Sequence, residues 1–271
     1  MLGITWDKIT ERYYEHGLDR GVLYMPGKDP IPWNGLMSFD ESSTGTTTVL
    51  YRDGVVYLAD ADAGDFSGKL TALFYPSQFG EMIGIPKATD GLYVDGQKPK
   101  RFGFSYRTLI GSGTKGDQFG YQIHLVYNAM ATLGAKSRKS IGASVDPSLM
   151  NFDIVCTPVK MTGRRPTAHY IIDTRGMSAD KVTELEEMIY GDGVTPGALP
   201  DPDDLFNLMN YGPEMTFTVY PNGTFTVEGS SDNLIDNEDN SFTMLNINAA
   251  DNLDGTYDVS DGGDTTVTIV P

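Results

Sequence analysis

The fold is decided by the stretch Phe102-Gly103-Phe104-Ser105-Tyr106-Arg107, in which aromatic side chains alternate with small or polar ones. An alternation with a period of two is typical of a β-strand that buries one face. A second run of this kind, Tyr121-Gln122-Ile123-His124-Leu125-Val126-Tyr127-Asn128, follows the glycine-rich segment 110–117. The two runs predict a hairpin with a long loop. Its buried face is expected to carry the large side chains: Phe102, Phe104, Tyr106, Tyr121, Ile123 and Leu125.

Further strands are predicted on both sides of this central hairpin. Asp53-Gly54 joins two β-prone runs over 50–58, and a type I′ turn favours Asp-Gly because both central residues need a positive φ. Other runs with β-like composition lie at 20–25, 35–40, 66–75, 151–159 and 167–173. The fold class predicted for this part of the chain is therefore mainly β.

Two helices interrupt the strand pattern late in the chain. Ser178 is a suitable N-cap for a helix over 179–190, and Gly191 is a suitable end for it. Asp201-Pro202 predicts the start of a second, shorter helix, because proline is favoured at the first helical position.

The charge distribution predicts two domains. The formal net charge is −17, and the segment from Pro213 to the end carries eleven acidic residues and no lysine or arginine. Its contribution of −11 leaves −6 of the −17 for residues 1–212. So sharp a change indicates a domain boundary, with a core domain over 1–212 and an acidic domain over 213–271. Strand-like runs at 215–220, 224–228, 242–247 and 265–270 predict a small all-β, immunoglobulin-like sandwich for the acidic domain.

The composition argues against several classes of function. Strong nucleic-acid binding needs clustered lysine and arginine, which an acidic chain does not supply. No apolar run approaches the ~20 residues of a membrane-spanning helix, and the first residues do not read as a signal peptide. We therefore expect no membrane partner and synthesis in a cytoplasm. The one cysteine, Cys156, lies in an apolar run and is expected to be a buried packing thiol.

No catalytic, cofactor or metal site is predicted from the sequence, so we expect that the protein is not an enzyme. His16, His124 and His169 are far apart in the chain, and no third ligand stands near any of them. The glycine-rich segment 111–116 lacks the spacing of a phosphate-binding loop. In the acidic domain, Ser241 replaces the glycine that an EF-hand loop requires, which leaves an irregular calcium site as the lesser alternative to a solvated acidic face.

A family-level signal lies in five short stretches, and none of them is a catalytic motif. They are Gly17-Leu18-Asp19-Arg20-Gly21-Val22-Leu23-Tyr24, Pro32-Trp33-Asn34-Gly35-Leu36, Arg101-Phe102-Gly103-Phe104-Ser105-Tyr106-Arg107-Thr108, Ile123-His124-Leu125-Val126-Tyr127-Asn128-Ala129 and Gly163-Arg164-Arg165-Pro166-Thr167-Ala168-His169. With these stretches in this order, the chain resembles the major tail (tail tube) proteins of long-tailed, siphovirus-type bacteriophages, particularly those of actinobacteria. The resemblance covers about residues 6–210.

The resemblance implies a structural role in a virion. Such proteins have a core of two packed sheets with a flanking α-helix, and six copies form rings that stack into a tube through which the genome passes. The implied partners are other copies of the chain, the tape measure protein and other tail proteins, with DNA only in transit and without sequence-specific binding. The acidic domain lies outside the resemblance, as the outer decoration domains of tail proteins do.

Two groups of residues follow as candidate sites. Aromatic residues crowd the N-terminal region and are expected at a subunit interface: Trp6, Tyr13, Tyr14, Tyr24 and Trp33. The polar face of the central hairpin is expected to line the lumen: Ser105, Arg107, Gln122, His124 and Asn128. Arg107 is further expected to form a salt bridge with a carboxylate on a neighbouring strand or subunit.

Two other classes of function remain as alternatives. One is a β-rich binding module of a phage tail that does not polymerise, such as a distal tail protein or a component that adheres to carbohydrate or to a cell surface. The other is a hydrolase, for which the sequence gives the least support. Polymerisation of the purified chain distinguishes the tube subunit from both.

Overall fold

The computed structural model describes residues 8, 12–43, 45, 47–61, 64–138, 140 and 147–211, together with the backbone of six later strands. The described residues form a mainly β fold, which confirms the predicted fold class. The strands up to residue 211 are β1 (Tyr13–Tyr24), β2 (Ile31–Pro32), β3 (Leu36–Ser43), β4 (Thr47–Arg52), β5 (Val55–Ala61), β6 (Phe66–Ala72), β7 (Lys87–Thr89), β8 (Leu92–Tyr93), β9 (Phe102–Ser112), β10 (Gly116–Leu133), β11 (Met150–Cys156) and β12 (His169–Asp173). The α-helices are α1 (Phe79–Met82), α2 (Ala179–Tyr190) and α3 (Pro202–Tyr211).

One antiparallel sheet of eight strands organises the first part of the chain. Its strand order is β2-β1-β9-β10-β11-β6-β3, and β12 pairs with β10 beside the end of β11. The long strand β10 therefore has β9 along one edge and shares its other edge between β12 and β11. This arrangement makes the predicted central hairpin the middle of the sheet.

The hairpin of β9 and β10 is tighter than its glycine-rich sequence predicted. The two strands continue pairing as far as Ser112 and Gly116, so the long loop expected over 110–117 is wrong. Ile110 explains the difference, because its side chain is buried in the structure and extends the strand. Glycines in this segment allow close packing, since a Cβ at Gly111 would lie 2.2 Å from the ring of Tyr14.

The edge strand β3 packs across the core against the middle of the sheet. Phe39 of β3 packs edge-on against Phe104 and Tyr106 of β9, with ring centroids 5.2 and 5.4 Å apart, although β3 and β9 are far apart in the strand order. The packed layers that the resemblance implied are thus opposite parts of one curled sheet. A cluster of buried aromatic residues fills the space between them: Trp33, Phe79, Phe102, Phe104, Tyr106 and Phe152.

The chain divides into two compact units, residues 1–176 with 192–199 and residues 177–191 with 200–271. In the second unit, α2 has the predicted bounds, with Ser178 as its N-cap and Gly191 after its last residue. The Lys181 Nζ of α2 donates a hydrogen bond to the backbone carbonyl of Met209 on α3. The longest described helix, α2, has 12 residues, fewer than the ~20 that span a bilayer.

The acidic segment forms strands that pair among themselves. They are β13 (Thr216–Val219), β14 (Phe225–Glu228), β15 (Leu234–Asp236), β16 (Ser241–Met244), β17 (Gly255–Val259) and β18 (Thr265–Ile269). β13 and β14 form the predicted hairpin, and the other four form a sheet in the order β15-β16-β18-β17. The boundary at 212/213 falls inside the second compact unit and, like the immunoglobulin-like sandwich, stays a prediction.

Candidate assembly surface and buried polar cluster

The hairpin of β4 and β5 stands apart from the main sheet. Its two strands pair with each other in a separate two-stranded sheet. The turn is Asp53-Gly54, and both residues have a positive φ, 51° and 80°. This backbone is what a type I′ turn requires, so the predicted hairpin is confirmed.

The large apolar side chains of this hairpin are all exposed. Tyr51, Val55 and Tyr57 keep 65%, 64% and 69% of their surface accessible. The sequence has three large apolar residues in a row on β4 and four on β5, so both faces of the ribbon carry them. The exposed set is Val49, Leu50, Tyr51, Val55, Val56, Tyr57 and Leu58. A two-stranded ribbon is marginally stable by itself, and an apolar patch of this kind marks an interaction site.

Two of the aromatic residues predicted at an interface lie in the core. Tyr24 and Trp33 are buried, with 7% and 3% of their surface accessible, so their assignment to a subunit interface is wrong. The Trp33 ring packs against Phe79 at 4.4 Å, and its Nε1 donates a hydrogen bond to the carbonyl of Phe74. The sequence shows an aromatic cluster in one region but does not show which rings the curled sheet covers.

The remaining predicted interface residues lie at the start of the chain. Tyr13 and Tyr14 are about half exposed on β1. Tyr13 stacks on Phe119 at 5.3 Å, and the guanidinium of Arg175 lies 5.1 Å from the centre of the Tyr13 ring. Their role at an interface stays a prediction. Trp6 lies outside the described residues.

The predicted lumen-facing residues do not share one face of the sheet. His124 pairs with Tyr106, and Leu125 pairs with Ser105. Paired residues of antiparallel strands point to the same side, so His124 lies on the face that carries the core aromatics. Ser105 and His124 are buried, with 0% and 3% of their surface accessible, and their assignment to a lumen is wrong. The prediction placed β10 one residue out of register with β9. Such a shift exchanges the two faces of β10.

The other members of that group keep some access to solvent. Asn128 is exposed at an irregularity of β10, where its φ is 48°, and Gln122 is half-buried. Arg107 forms the predicted salt bridge to a neighbouring strand: its Nε and Nη2 donate to the two carboxylate oxygens of Asp19 on β1, at 2.7 and 2.6 Å. Lumen-facing roles for Arg107, Gln122 and Asn128 stay predictions.

A cluster of polar side chains lies where the edge strand β3 packs against the middle of the sheet. His124 Nδ1 and His169 Nε2 are 3.1 Å apart, and the Glu41 carboxylate lies 3.7 Å from His124 Nδ1 and 3.8 Å from His169 Nδ1. The Tyr106 hydroxyl donates a 2.5 Å hydrogen bond to Glu41 Oε1. On the far side of its ring, His124 Nε2 is 3.1 Å from the Thr108 hydroxyl.

Burial sets the protonation of this polar cluster. Removal from water disfavours the charged imidazole, and together with the smaller effect of the neighbouring His124 it lowers the pKa of His169 to about 4. The pKa of His124 is also lowered by burial, although the carboxylates of Glu41 and Glu15 act in the opposite direction. Both imidazoles are therefore neutral near pH 7.

Sequence patterns did not predict this cluster because its members are distant in the chain. His124 was expected on the polar face of the central hairpin, no third ligand stands near either histidine in the sequence, and Glu41 is more than eighty residues from His124. The curl of the sheet brings β3 back over β9 and β10, which no local pattern encodes. The buried Cys156, by contrast, was predicted correctly, and burial raises the pKa of its thiol to about 12.

Comparison with known proteins gives weak similarities. No protein-family model and no curated protein matches the sequence. Among solved structures, the chain is similar to one from the sheath-tube complex of an extracellular contractile injection system, with 15% identity and a TM-score of 0.30 over 57% of this chain and 88% of that one. It is also similar to the tube-terminating cap of the anti-feeding prophage, with 14% identity and a TM-score of 0.32 over 64% of this chain and 99% of that one. At these TM-scores the similarities carry no assignment of function.

Proposed function

We propose that the protein is a structural, non-enzymatic subunit that assembles with copies of itself into stacked rings, which form the tail tube of a bacteriophage. The single observation that carries the proposal is the hairpin of β4 and β5, whose apolar side chains are exposed on both faces. The family resemblance of the sequence supplies the kind of assembly. Hexameric rings, DNA transit and contacts with the tape measure protein belong to this proposal.

Energetics favour a partner on the hairpin. Full burial of a large apolar side chain contributes roughly 1.5 to 3 kcal/mol. The seven exposed apolar residues of the hairpin could therefore contribute on the order of 10 kcal/mol, which is comparable to the cost of immobilising a second molecule. A second copy of this chain fits the need, because a repeating tube offers every hairpin the same neighbour.

The charge of the chain is compatible with a conduit for DNA. An acidic protein does not neutralise phosphates and so does not hold a passing genome. Arg107, which could contact phosphate, is instead neutralised by Asp19 through two hydrogen bonds. Tight retention of DNA is therefore not expected.

A matched pair of substitutions tests the role of the hairpin. Val56 lies in the hairpin and Val194 lies in the loop after α2, and both are exposed, at 53% and 92%. Val56→Asp should abolish polymers because a carboxylate would be buried without a partner at each contact, whereas Val194→Asp should polymerise normally. The measurement is electron microscopy with analytical ultracentrifugation, and circular dichroism shows that each variant is folded.

Three outcomes would count against the proposal. Uniform single particles of the unmodified protein at every concentration would favour the binding module. Normal tubes from Val56→Asp would show that the hairpin is not the contact. Equal loss of tubes in both variants would attribute the effect to added charge rather than to this surface.

A further inference from the structure

Glu41, His124 and His169 bring three metal-ligating groups together from three strands. Each offers one ligand atom, and these atoms lie within 4.8 Å of one another. Two imidazole nitrogens and one carboxylate oxygen form a donor set that suits zinc and related divalent transition metals. The cluster is independent of the exposed hairpin.

The distances between the donor atoms fit a common ion. Zinc–nitrogen bonds are about 2.0 to 2.1 Å long, so two nitrogens 3.1 Å apart subtend an angle of about 98° at a shared ion. The Glu41 oxygen, 3.7 Å from His124 Nδ1, subtends about 129° with the same bond lengths. These two angles lie on either side of the tetrahedral value of about 109°. The donor atoms lie within 4.8 Å of one another, so the partly exposed Glu41 side chain must move toward His169 to complete the set.

Neighbouring groups hold the three ligands in place. The His124 ring is stacked on Tyr106 at 4.5 Å, and the His169 ring is stacked on Phe66 at 4.2 Å. With the His124 proton on Nε2, where the Thr108 hydroxyl accepts it, Nδ1 presents a lone pair toward His169. Metal binding at His169 Nε2 then requires the proton of that ring to lie on Nδ1. Partners of this kind orient the ligands of metal sites in proteins.

One side of the site is open to solvent. The Glu41 side chain is 38% exposed, whereas those of His124 and His169 are 4% and 9% exposed. An ion can therefore enter past Glu41, and water can complete its coordination, while the two imidazoles remain in place.

We propose that Glu41, His124 and His169 bind one divalent transition-metal ion, with Zn²⁺ as the first candidate. The ion joins β3 to β10 and β12, strands that do not neighbour β3 in the described sheet order. It thereby fastens the edge strand β3 to the middle of the curled sheet, and its expected effect is stabilisation of the folded chain.

Thermal unfolding of the full chain with Zn²⁺ tests the proposal. At free Zn²⁺ about 100-fold above its dissociation constant, the melting temperature should rise by about 5 to 10 °C, and EDTA should reverse the rise. Glu41→Gln and His169→Gln should lose most of this rise. The control is His16→Gln, which removes the third histidine and should respond as the unmodified protein does.

Cobalt absorption gives a second readout that does not depend on stability. Co²⁺ bound to nitrogen and oxygen ligands should give a visible spectrum in the unmodified protein and in His16→Gln, and Zn²⁺ should displace it. The proposal is overturned if neither ion binds, or if His169→Gln and Glu41→Gln bind as the unmodified protein does. Loss of binding in His16→Gln alone would place the ion elsewhere.

Discussion

At the scale of single residues, the buried imidazoles make the fold sensitive to acid. His169 contacts Phe66 of β6, lies beside Glu41 of β3 and faces His124 of β10. Folding removes the His169 imidazole from water, which disfavours its protonated form. The pKa of His169 therefore falls from 6.5 to about 4. In the unfolded chain the same group takes up its proton near pH 6.5.

Stability should therefore fall as the pH drops from about 6.5 toward 4. In that range the unfolded state binds a proton at His169 that the folded state does not, which costs up to about 3 kcal/mol for a shift of this size. Urea unfolding in EDTA at several pH values measures the effect. His169→Gln should flatten this slope and His16→Gln should not; an unchanged slope in His169→Gln would contradict the explanation.

Gly68 shows a different constraint at the same scale. A Cβ at this position would lie 2.5 Å from the Phe39 ring and 2.8 Å from the carbonyl oxygen of Asp40. We expect Gly68→Ala to lower the free energy of unfolding by about 1 to 3 kcal/mol, because the clash involves backbone and moves Phe39 from the core. Gly176→Ala, where no atom lies within 4 Å of the added carbon, is the control. Equal stability of the two variants by denaturant unfolding would contradict this.

At the scale of elements, the hairpin of β4 and β5 and the central pair of β9 and β10 differ in what holds them. β9 is covered along most of its length, while every side chain of β4 is exposed. A strand pair without a covered face depends on its turn and on a partner. The loss of polymers expected for Val56→Asp belongs to this scale, because it concerns the element that the rest of the chain leaves uncovered.

At the scale of the whole molecule, charge should control assembly. Each copy carries −17, of which −11 lies after residue 212, so neighbouring copies repel one another. Raising the salt concentration from about 10 mM to 150 mM shortens the Debye length from about 30 Å to 8 Å and should promote polymerisation. Light scattering of the full chain at the two salt concentrations measures the extent of polymerisation.

A charge-reduced full chain supplies the comparison. Replacing five aspartates by asparagine reduces the net negative charge from −17 to about −12 without shortening the chain. The five are Asp251, Asp254, Asp258, Asp261 and Asp264. This variant should assemble at lower salt than the unmodified protein. An unchanged salt dependence would show that these charges do not oppose assembly.

Most of the local structure could be predicted from the sequence. It placed the strands of the central hairpin, the Asp53-Gly54 turn and the helix over 179–190 with its cap, because periodicity, turn chemistry and capping act between residues close in the chain. It also predicted the buried Cys156 and the mainly β class. These features need no knowledge of which strands lie side by side.

The tertiary structure alone decided which faces meet. The register of β9 and β10 placed His124 beside Tyr106, and the curl of the sheet covered Tyr24 and Trp33 and brought Glu41 to the two histidines. Strand alternation has a period of two, so one step of register exchanges a buried face for the opposite one. That step is fixed by contacts between strands distant in the chain, which no local pattern of residues contains.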